Sequence, residues 1–225
     1  YQIEGVQWLL EHYNNGLGAC LADDMGLGKT LQTLSTLVAV QEKLEVEKAE
    51  NTQLDLFGNE IPVAKEYLKA LIVLPSSLVF NWYNEARKFT PHFRRIQYVG
   101  QDRKLLSKKL AKYDLIFTSY AVVSRDFSIL EKYQFRYLIL DESQYIKNKN
   151  SKIFKAINQL QTTHKISLSG TPIENSLDDL WSQMQFINPN ILGSYAFFAE
   201  HYKFPIEKKQ DENSLAELKT LVSPF

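Results

Sequence analysis

The chain has 225 residues, of which 44% are hydrophobic and 12% aromatic, and its formal net charge at pH 7 is zero. This size and apolar content predict one large domain, or one and a half small ones, with a sizeable core. The single cysteine, Cys20, excludes a disulfide framework and a thiolate metal cluster and fits a reducing compartment. No apolar run reaches the roughly 20 residues that span a bilayer, and no signal peptide is visible.

The charge is unevenly distributed along the chain. Residues 87–155 hold 16 basic and 6 acidic side chains and carry +10, whereas residues 1–86 carry −7 and residues 156–225 carry −3. A central segment of this charge is typical of a surface that faces phosphate groups. Ordinary solvated helix faces would give the same count, and both interpretations stay open.

Helical patterns alternate along the chain with short apolar, β-branched runs. The first helix is amphipathic and already under way at Tyr1, which predicts a piece excised from a longer protein. The predicted strands are residues 19–22, 71–74, 115–117, 137–140 and 166–168, and the predicted helices include one from about residue 29 and residues 77–89, 102–112 and 151–160. This alternation predicts an α/β fold whose parallel sheet is covered on both faces. The polar residues 42–66 predict an insertion or mobile loop, and from about residue 176 the pattern becomes helical and aromatic.

The most informative motif is Asp-Asp-Met-Gly-Leu-Gly-Lys-Thr at residues 23–30, between the first strand and a helix. Glycines let a backbone wrap closely around phosphate oxygens, with amides pointing inward beside a helix N-terminus. Lys29 then supplies charge to the β- and γ-phosphates, and the Thr30 hydroxyl is a ligand for Mg²⁺. Asp23 stands where the pattern G-x-x-x-x-G-K-[ST] expects its first glycine, so the match is imperfect. The alternative is a glycine-rich turn with a solvated lysine.

A phosphate loop needs a carboxylate on a neighbouring strand to hold Mg²⁺. The adjacent acids Asp141 and Glu142 follow the apolar run 137–140 and meet this need. Asp141 is predicted to lie beside the metal, and Glu142 to orient and deprotonate the attacking water. A solvated strand end is the alternative for such a pair.

These motifs and several others, in order along the chain, resemble the Swi/Snf (sucrose-non-fermenting) family of helicase-like ATPases in helicase superfamily two. Residues 141–144 resemble its DExx box, and Ser-Gly-Thr-Pro-Ile-Glu-Asn at residues 169–175 resembles its third motif. The other matching positions are Tyr1, Gln2, residues 74–78, Asn81, Trp82, Glu85, residues 118–120, Asn148, Leu180, Trp181, residues 192–194 and residues 221–225. Ser143 and Gln144 depart from the commoner alanine and histidine.

The resemblance implies a RecA-like P-loop lobe over residues 1–175, a three-layer domain with a mostly parallel sheet. Residues 176–225 would be a helical extension leading to a second RecA-like lobe of the same parent chain. The resemblance also implies that ATP and Mg²⁺ bind between the two lobes and that duplex DNA crosses the same cleft.

The resemblance further implies roles for individual residues. The ATP-binding residues would be Gln2, Asp24, Met25, Gly26, Leu27, Gly28, Lys29 and Thr30. Thr30 and Asp141 would hold the metal, and catalysis would use Lys29, Asp141 and Glu142. Ser169, Gly170 and Thr171 would couple the acidic box to the DNA side. The DNA contacts would be Pro75, Ser76, Ser77, Thr118, Ser119, Tyr120, Lys147 and Asn148, giving salt-sensitive and sequence-tolerant binding. For Trp82 a core position is favoured over base stacking.

The implied function is the N-terminal lobe of a DNA-dependent ATPase that translocates on duplex DNA and remodels protein–DNA complexes, in the bacterial nucleoid or the nucleus. DNA-bound proteins are expected as further partners, and no membrane. The lobe alone is expected to bind nucleotide weakly and to hydrolyse it negligibly, because the family's arginine finger belongs to the second lobe. The alternatives are an RNA or strand-separating helicase of the same superfamily and a nucleotide-regulated binding module without turnover.

Overall fold

The computed structural model describes residues 1–22, 27–50, 68–170 and 176–225. Its strands are β1 (Ala19–Leu21), β2 (Ala70–Leu74), β3 (Arg95–Gln97), β4 (Leu115–Ser119), β5 (Phe135–Leu140) and β6 (Thr162–Leu168). Its helices are α1 (Gln2–Asn14), α2 (Lys29–Glu50), α3 (Val79–Phe89), α4 (Arg103–Leu106), α5 (Tyr120–Arg125), α6 (Phe127–Leu130), α7 (Lys152–Gln159), α8 (Leu177–Ile187), α9 (Tyr195–Phe198), α10 (Phe204–Lys209) and α11 (Glu212–Val222). Single 3₁₀ turns cover Ser107–Lys112 and Ser143–Ile146, and a π-helical turn covers Ala199–Lys203.

The strands form one six-stranded sheet in the order β1-β6-β5-β2-β4-β3. Every pair of neighbouring strands in it is parallel. The carboxyl ends of all the strands therefore lie along one edge, which is where ligands bind in open α/β sheets. The strand order places the end of β6 between the loop after β1 and the acids after β5.

Alternate residues of each central strand pack into apolar clusters on opposite faces of the sheet. On β2, Leu71 and Val73 join a cluster with α5, α7 and α8, whereas Ile72 and Leu74 join a cluster with α1, α2 and α3. Burial on both faces explains why the central strands are continuous apolar runs. The result is the predicted three-layer α/β fold with a RecA-like parallel sheet.

The C-terminal helices share the apolar core of the lobe. Trp181 and Phe186 of α8, and Leu218 of α11, belong to the cluster on the α5–α7–α8 face. The chain end returns to the first strand, where the Cys20 amide donates to the Phe225 carbonyl at 3.3 Å. Helices α8 to α11 confirm the helical character that was predicted from about residue 176.

Three local predictions need correction. Residues 42–50 are not a loop, because α2 continues to Glu50. The polar side chains of Glu42, Lys43, Glu45 and Glu47 are exposed on this helix. The rest of the predicted insertion, residues 51–67, lies outside the described residues. The segment 102–112 is a short helix and a 3₁₀ turn, and the three-residue strand β3 was missed because it is too short to show a period.

None of the helices in the described residues is both long and apolar enough to cross a membrane.

Candidate nucleotide site

The loop after β1 is described from Leu27 onward; Asp23, Asp24, Met25 and Gly26 lie outside the described residues. Gly28 has a φ of +84°, and a Cβ there would lie 2.6 Å from Nε2 of Gln2. A side chain at this position would therefore be strained by the backbone conformation, and the end of Gln2 would have to move. The predicted adenine-reading Gln2 packs directly on the phosphate loop.

One cavity of about 590 Å³ is lined by residues from both the phosphate loop and the acid pair of the predicted site. Lys29 and Thr30, at the start of α2, line it together with Asp141 and Glu142, which follow β5. The described residues that line it are Gly28, Lys29, Thr30, Leu31, Glu85, Lys88, Phe89, Asp141 and Glu142. A smaller cavity of about 300 Å³ shares Leu31 with it and is lined by Gln2 and other residues of α1 and α2.

Asp141 is buried, and neutral donors hold its carboxylate. The Trp82 indole Nε1 donates to Oδ2 at 2.9 Å, and the Glu142 amide donates to Oδ1 at 3.0 Å. Burial raises the pKa of Asp141 above its ordinary value, and the adjacent Glu142 charge adds to this, against opposing effects of the two donors and of Lys29. Neutralisation by a cation would relieve this cost.

Glu142 occupies a strained backbone conformation. Its φ of 52° and ψ of 54° lie in the left-handed region, which costs a non-glycine residue about 1–3 kcal/mol. Gln144 Nε2 donates to Glu142 Oε2 at 2.7 Å, so the residue that replaces the family's frequent histidine fixes the predicted base. The carboxylate is half-buried and reaches the cavity.

Of the coupling residues predicted after β6, Ser169 and Gly170 are described, and the strand order places them between β1 and β5. Ser169 is buried, and its amide donates to the Leu21 carbonyl of β1 at 3.2 Å. Gly170 is half-buried. Thr171 lies outside the described residues, as does the rest of this motif up to residue 175.

The predicted DNA contacts cluster at the same sheet edge but differ in exposure. Ser76, Ser77, Lys147 and Asn148 are exposed, and Pro75 is half-buried.

Thr118, Ser119 and Tyr120 are buried, and two of their hydroxyls are engaged within the lobe. The Thr118 hydroxyl donates to the Tyr98 carbonyl at 2.8 Å. The Tyr120 hydroxyl donates to the main-chain carbonyl of Asp141 at 2.6 Å, and its ring stacks on that of Tyr145. Because Thr118 and Tyr120 donate their hydroxyls within the lobe, contacts of these three residues with DNA stay a prediction.

The donors around the cavity fit Mg²⁺. This ion prefers hard oxygen ligands and usually takes one or two from the protein, with the rest from water and phosphate. The Thr30 hydroxyl and the Asp141 carboxylate provide such oxygens in one cavity. Among the described residues, no three His, Cys, Asp or Glu side chains converge as a metal cage.

Sequence reasoning missed the contribution of α3 to this site. The prediction that Trp82 belongs to the core is confirmed by its 4% exposure, but its hydrogen bond to Asp141 was not foreseen. Glu85, Lys88 and Phe89 of the same helix line the cavity. The sequence held one signal for this contact. A tryptophan predicted to be in the core needs an acceptor for its indole N–H, because a buried indole N–H normally has one.

The comparisons with known proteins agree with this architecture. A model of the SNF2-related domain family matches residues 1–225. The TATA-binding protein-associated factor MOT1 of Saccharomyces cerevisiae is 36% identical over 216 residues, which cover 95% of this chain and 11% of MOT1. The chromatin-remodeling ATPase INO80 of Gibberella zeae is 33% identical over 243 residues, which cover all of this chain and 12% of INO80.

A solved structure also matches. The SWI2/SNF2 ATPase core of Sulfolobus solfataricus, in complex with dsDNA, is 43% identical with a TM-score of 0.82; the match covers 100% of this chain and 42% of that one. The chain thus spans less than half of each of these proteins. The family match over the whole length, together with the RecA-like sheet, shows that this chain belongs to the SNF2-related domain family and corresponds to the family's N-terminal RecA-like lobe.

Proposed function

We propose that this chain is the ATP-binding lobe of a DNA-stimulated ATPase that translocates on duplex DNA and remodels protein–DNA complexes. The observation that carries the proposal is that Lys29, Thr30, Asp141 and Glu142 line the same cavity. A P-loop lysine and hydroxyl opposite a strand-end acid pair form the arrangement that hydrolyses nucleoside triphosphates. The solved relative in complex with dsDNA supports duplex DNA as the second ligand.

In this proposal each side chain has a defined task. Lys29 binds the β- and γ-phosphates, and Thr30 with Asp141 holds Mg²⁺, which neutralises charge on the phosphates when bound. Glu142 accepts a proton from the water that attacks the γ-phosphate. Gln2 contacts the adenine from the smaller cavity, since an amide both donates and accepts hydrogen bonds. Attack in line with the leaving oxygen gives ADP and phosphate.

We assign the DNA-facing surface to the exposed members of the predicted set. Ser76 and Ser77 follow β2, and Lys147 and Asn148 follow the turn after the acid pair. Hydroxyl, amide and ammonium groups suit contacts with the sugar-phosphate backbone, which position a protein without reading sequence. Binding should therefore weaken steeply with salt and depend little on DNA sequence.

We further propose that a second RecA-like lobe of the same parent chain closes the site and that proteins bound to DNA are the targets of the motor. An arginine finger from a partner element contributes about 10³-fold or more to phosphoryl transfer. The 225-residue lobe alone should accordingly bind nucleotide weakly and hydrolyse it negligibly. Robust DNA-stimulated turnover by the isolated lobe would overturn this part of the proposal. The compartment would be one that holds DNA, the bacterial nucleoid or the nucleus.

The decisive test measures phosphate release by the full-length protein with duplex DNA, single-stranded RNA or no nucleic acid. Stimulation by duplex DNA is expected, and Glu142→Gln should abolish it while ATP binding persists. Glu131→Gln is the matched control, because it removes an exposed carboxylate that does not line the cavity.

Each alternative gives a different result. Preferential stimulation by RNA would identify an RNA helicase, and strand separation with a displaced oligonucleotide would identify an unwinding enzyme. Nucleotide binding without phosphate release in the wild-type protein would identify a regulated binding module. Unchanged activity in Glu142→Gln would remove Glu142 as the base.

A further inference from the structure

The indole of Trp82 makes a contact that the proposed chemistry does not account for. Trp82 lies on α3 and Asp141 follows β5, so the two residues are 59 positions apart in the sequence. The ring is packed in the apolar cluster with α1 and α2, and the indole is 4% exposed. Its only polar atom, Nε1, donates to Asp141 Oδ2 at 2.9 Å. The contact therefore joins a rigid part of the core to the carboxylate predicted to hold Mg²⁺.

The chemistry of the indole limits what this contact does. An indole N–H donates and does not accept, so Trp82 cannot ligate a metal or transfer a proton at neutral pH. It can fix the direction of the acceptor oxygen. The Glu142 amide holds the other oxygen of Asp141 at 3.0 Å, and the Tyr120 hydroxyl holds its carbonyl at 2.6 Å. The Trp82 and Glu142 donors orient the carboxylate, and Tyr120 holds the main chain of the same residue.

From this geometry we propose that Trp82 is a positioning residue that sets the affinity of the nucleotide site for Mg²⁺. The indole N–H holds the Asp141 carboxylate in one orientation toward the cavity, as hydrogen bonds around a metal ligand generally do. Tyr120, the first residue of α5, supports the main-chain carbonyl of the same residue. The inference rests on the proposed function of the site, and it concerns binding rather than hydrolysis alone.

Trp82→Phe tests the inference in the full-length protein. The substitution keeps an aromatic ring in the core and removes the N–H. A fluorescent ATP analogue is bound in EDTA and then titrated with Mg²⁺. The apparent affinity for Mg²⁺ should fall by about 10-fold or more, the range found when a hydrogen bond to a metal ligand is removed. Binding of the metal-free nucleotide should stay at the wild-type level.

Trp181→Phe is the matched control. Trp181 is also buried, at 8% exposure, and its Nε1 donates to the Gly193 carbonyl at 3.3 Å on the opposite face of the sheet. Removing this N–H perturbs the core but should leave the Mg²⁺ titration unchanged. Thermal unfolding of both variants separates a general loss of packing from a loss of metal affinity.

A second variant keeps the test decisive if Trp82→Phe does not fold. Benzothienylalanine incorporated at position 82 retains the two-ring shape and replaces the N–H by sulfur. A Mg²⁺ affinity equal to that of wild type in either folded variant would overturn the inference. An equal loss in Trp181→Phe would do the same, since the effect would then be nonspecific. Absence of Mg²⁺-dependent nucleotide binding in the wild type would instead refute the proposed function.

Discussion

Two buried aspartates at different places in this lobe have opposite electrostatic environments. Asp126 is 3% exposed, and Arg103 donates to both of its oxygens, at 2.7 and 2.9 Å, while the Tyr98 hydroxyl adds a bond at 3.0 Å. Burial raises the pKa of Asp126, but these donors outweigh it and leave the pKa below its ordinary value. Asp141 is 8% exposed, Trp82 and its own chain neighbour are its donors, and its pKa is raised.

The difference separates a structural carboxylate, Asp126, from the proposed metal ligand, Asp141. A carboxylate that is paired with a buried guanidinium stabilises the fold, and its oxygens are already occupied by donors of the protein. A charge held mainly by neutral donors is costly until a cation arrives, so its position at the cavity favours binding of a metal. The hydrogen-bond donors around a buried aspartate thus determine which of the two roles suits it.

The largest effect should come from breaking the structural pair. Asp126→Asn leaves the buried Arg103 without its counter-charge, and the free energy of unfolding should fall by about 3–5 kcal/mol. Urea denaturation followed by circular dichroism measures this. A loss below about 1 kcal/mol would show that the pair contributes no more than an exposed ion pair.

The reciprocal substitution at the site should affect activity and spare stability. Asp141→Asn keeps an acceptor for only one of the two donors, Trp82 Nε1 or the Glu142 amide, but it also removes a charge that burial disfavours. Because these effects oppose each other, the free energy of unfolding should change by less than about 1 kcal/mol. ATP hydrolysis by the full-length protein should fall about 10²–10³-fold, the usual effect of removing one electrostatic element of a site. Stability losses of the same size in Asp126→Asn and Asp141→Asn would contradict the distinction between the two aspartates.

A third buried group, His164, should make stability depend on pH. Burial lowers the pKa of His164 to about 4 from 6.5, with Arg136 adding to the shift, and its ring packs against Tyr13 and Tyr137. Between pH 6.5 and 4, His164 is protonated in the unfolded chain but stays neutral in the folded chain. The free energy of unfolding therefore falls as the pH drops from 6.5 toward 4. The loss should approach about 3 kcal/mol.

His164→Leu serves as the comparison for this pH dependence. Because leucine does not titrate, the difference in unfolding free energy between the two proteins should widen steadily below pH 6.5. Parallel pH profiles for the wild type and His164→Leu would contradict the prediction.

The smallest effect is expected at Gln144, the exposed donor to the proposed base Glu142. Gln144→Ala removes the bond to Glu142 Oε2, and kcat should fall about 2–10-fold with stability unchanged, as the loss of one solvent-accessible hydrogen bond allows. Gln161→Ala is the control, since Gln161 is another exposed glutamine outside the cavity lining. An unchanged kcat in Gln144→Ala would show that Glu142 needs no such support.

The sequence alone determined the motifs, the fold class and the chain order of the main strands. Continuous apolar runs such as residues 71–74 and 137–140 are visible locally, because strands buried on both faces have no polar side to interrupt them. The loop–lysine–threonine pattern and the acid pair were likewise readable, because their chemistry resides in neighbouring residues. The exposed end of α2 was misread, since polarity by itself does not distinguish a solvated helix from a loop.

Tertiary structure alone decided which atoms meet. Trp82 reaches Asp141 only because β2 and β5 pair side by side, and Tyr120 reaches it only because β4 pairs with β2. The same packing turns Thr118 and Tyr120 inward and leaves Ser76 and Lys147 on the surface. Local sequence patterns carry no information on such contacts, because strand order brings together residues that are tens of positions apart.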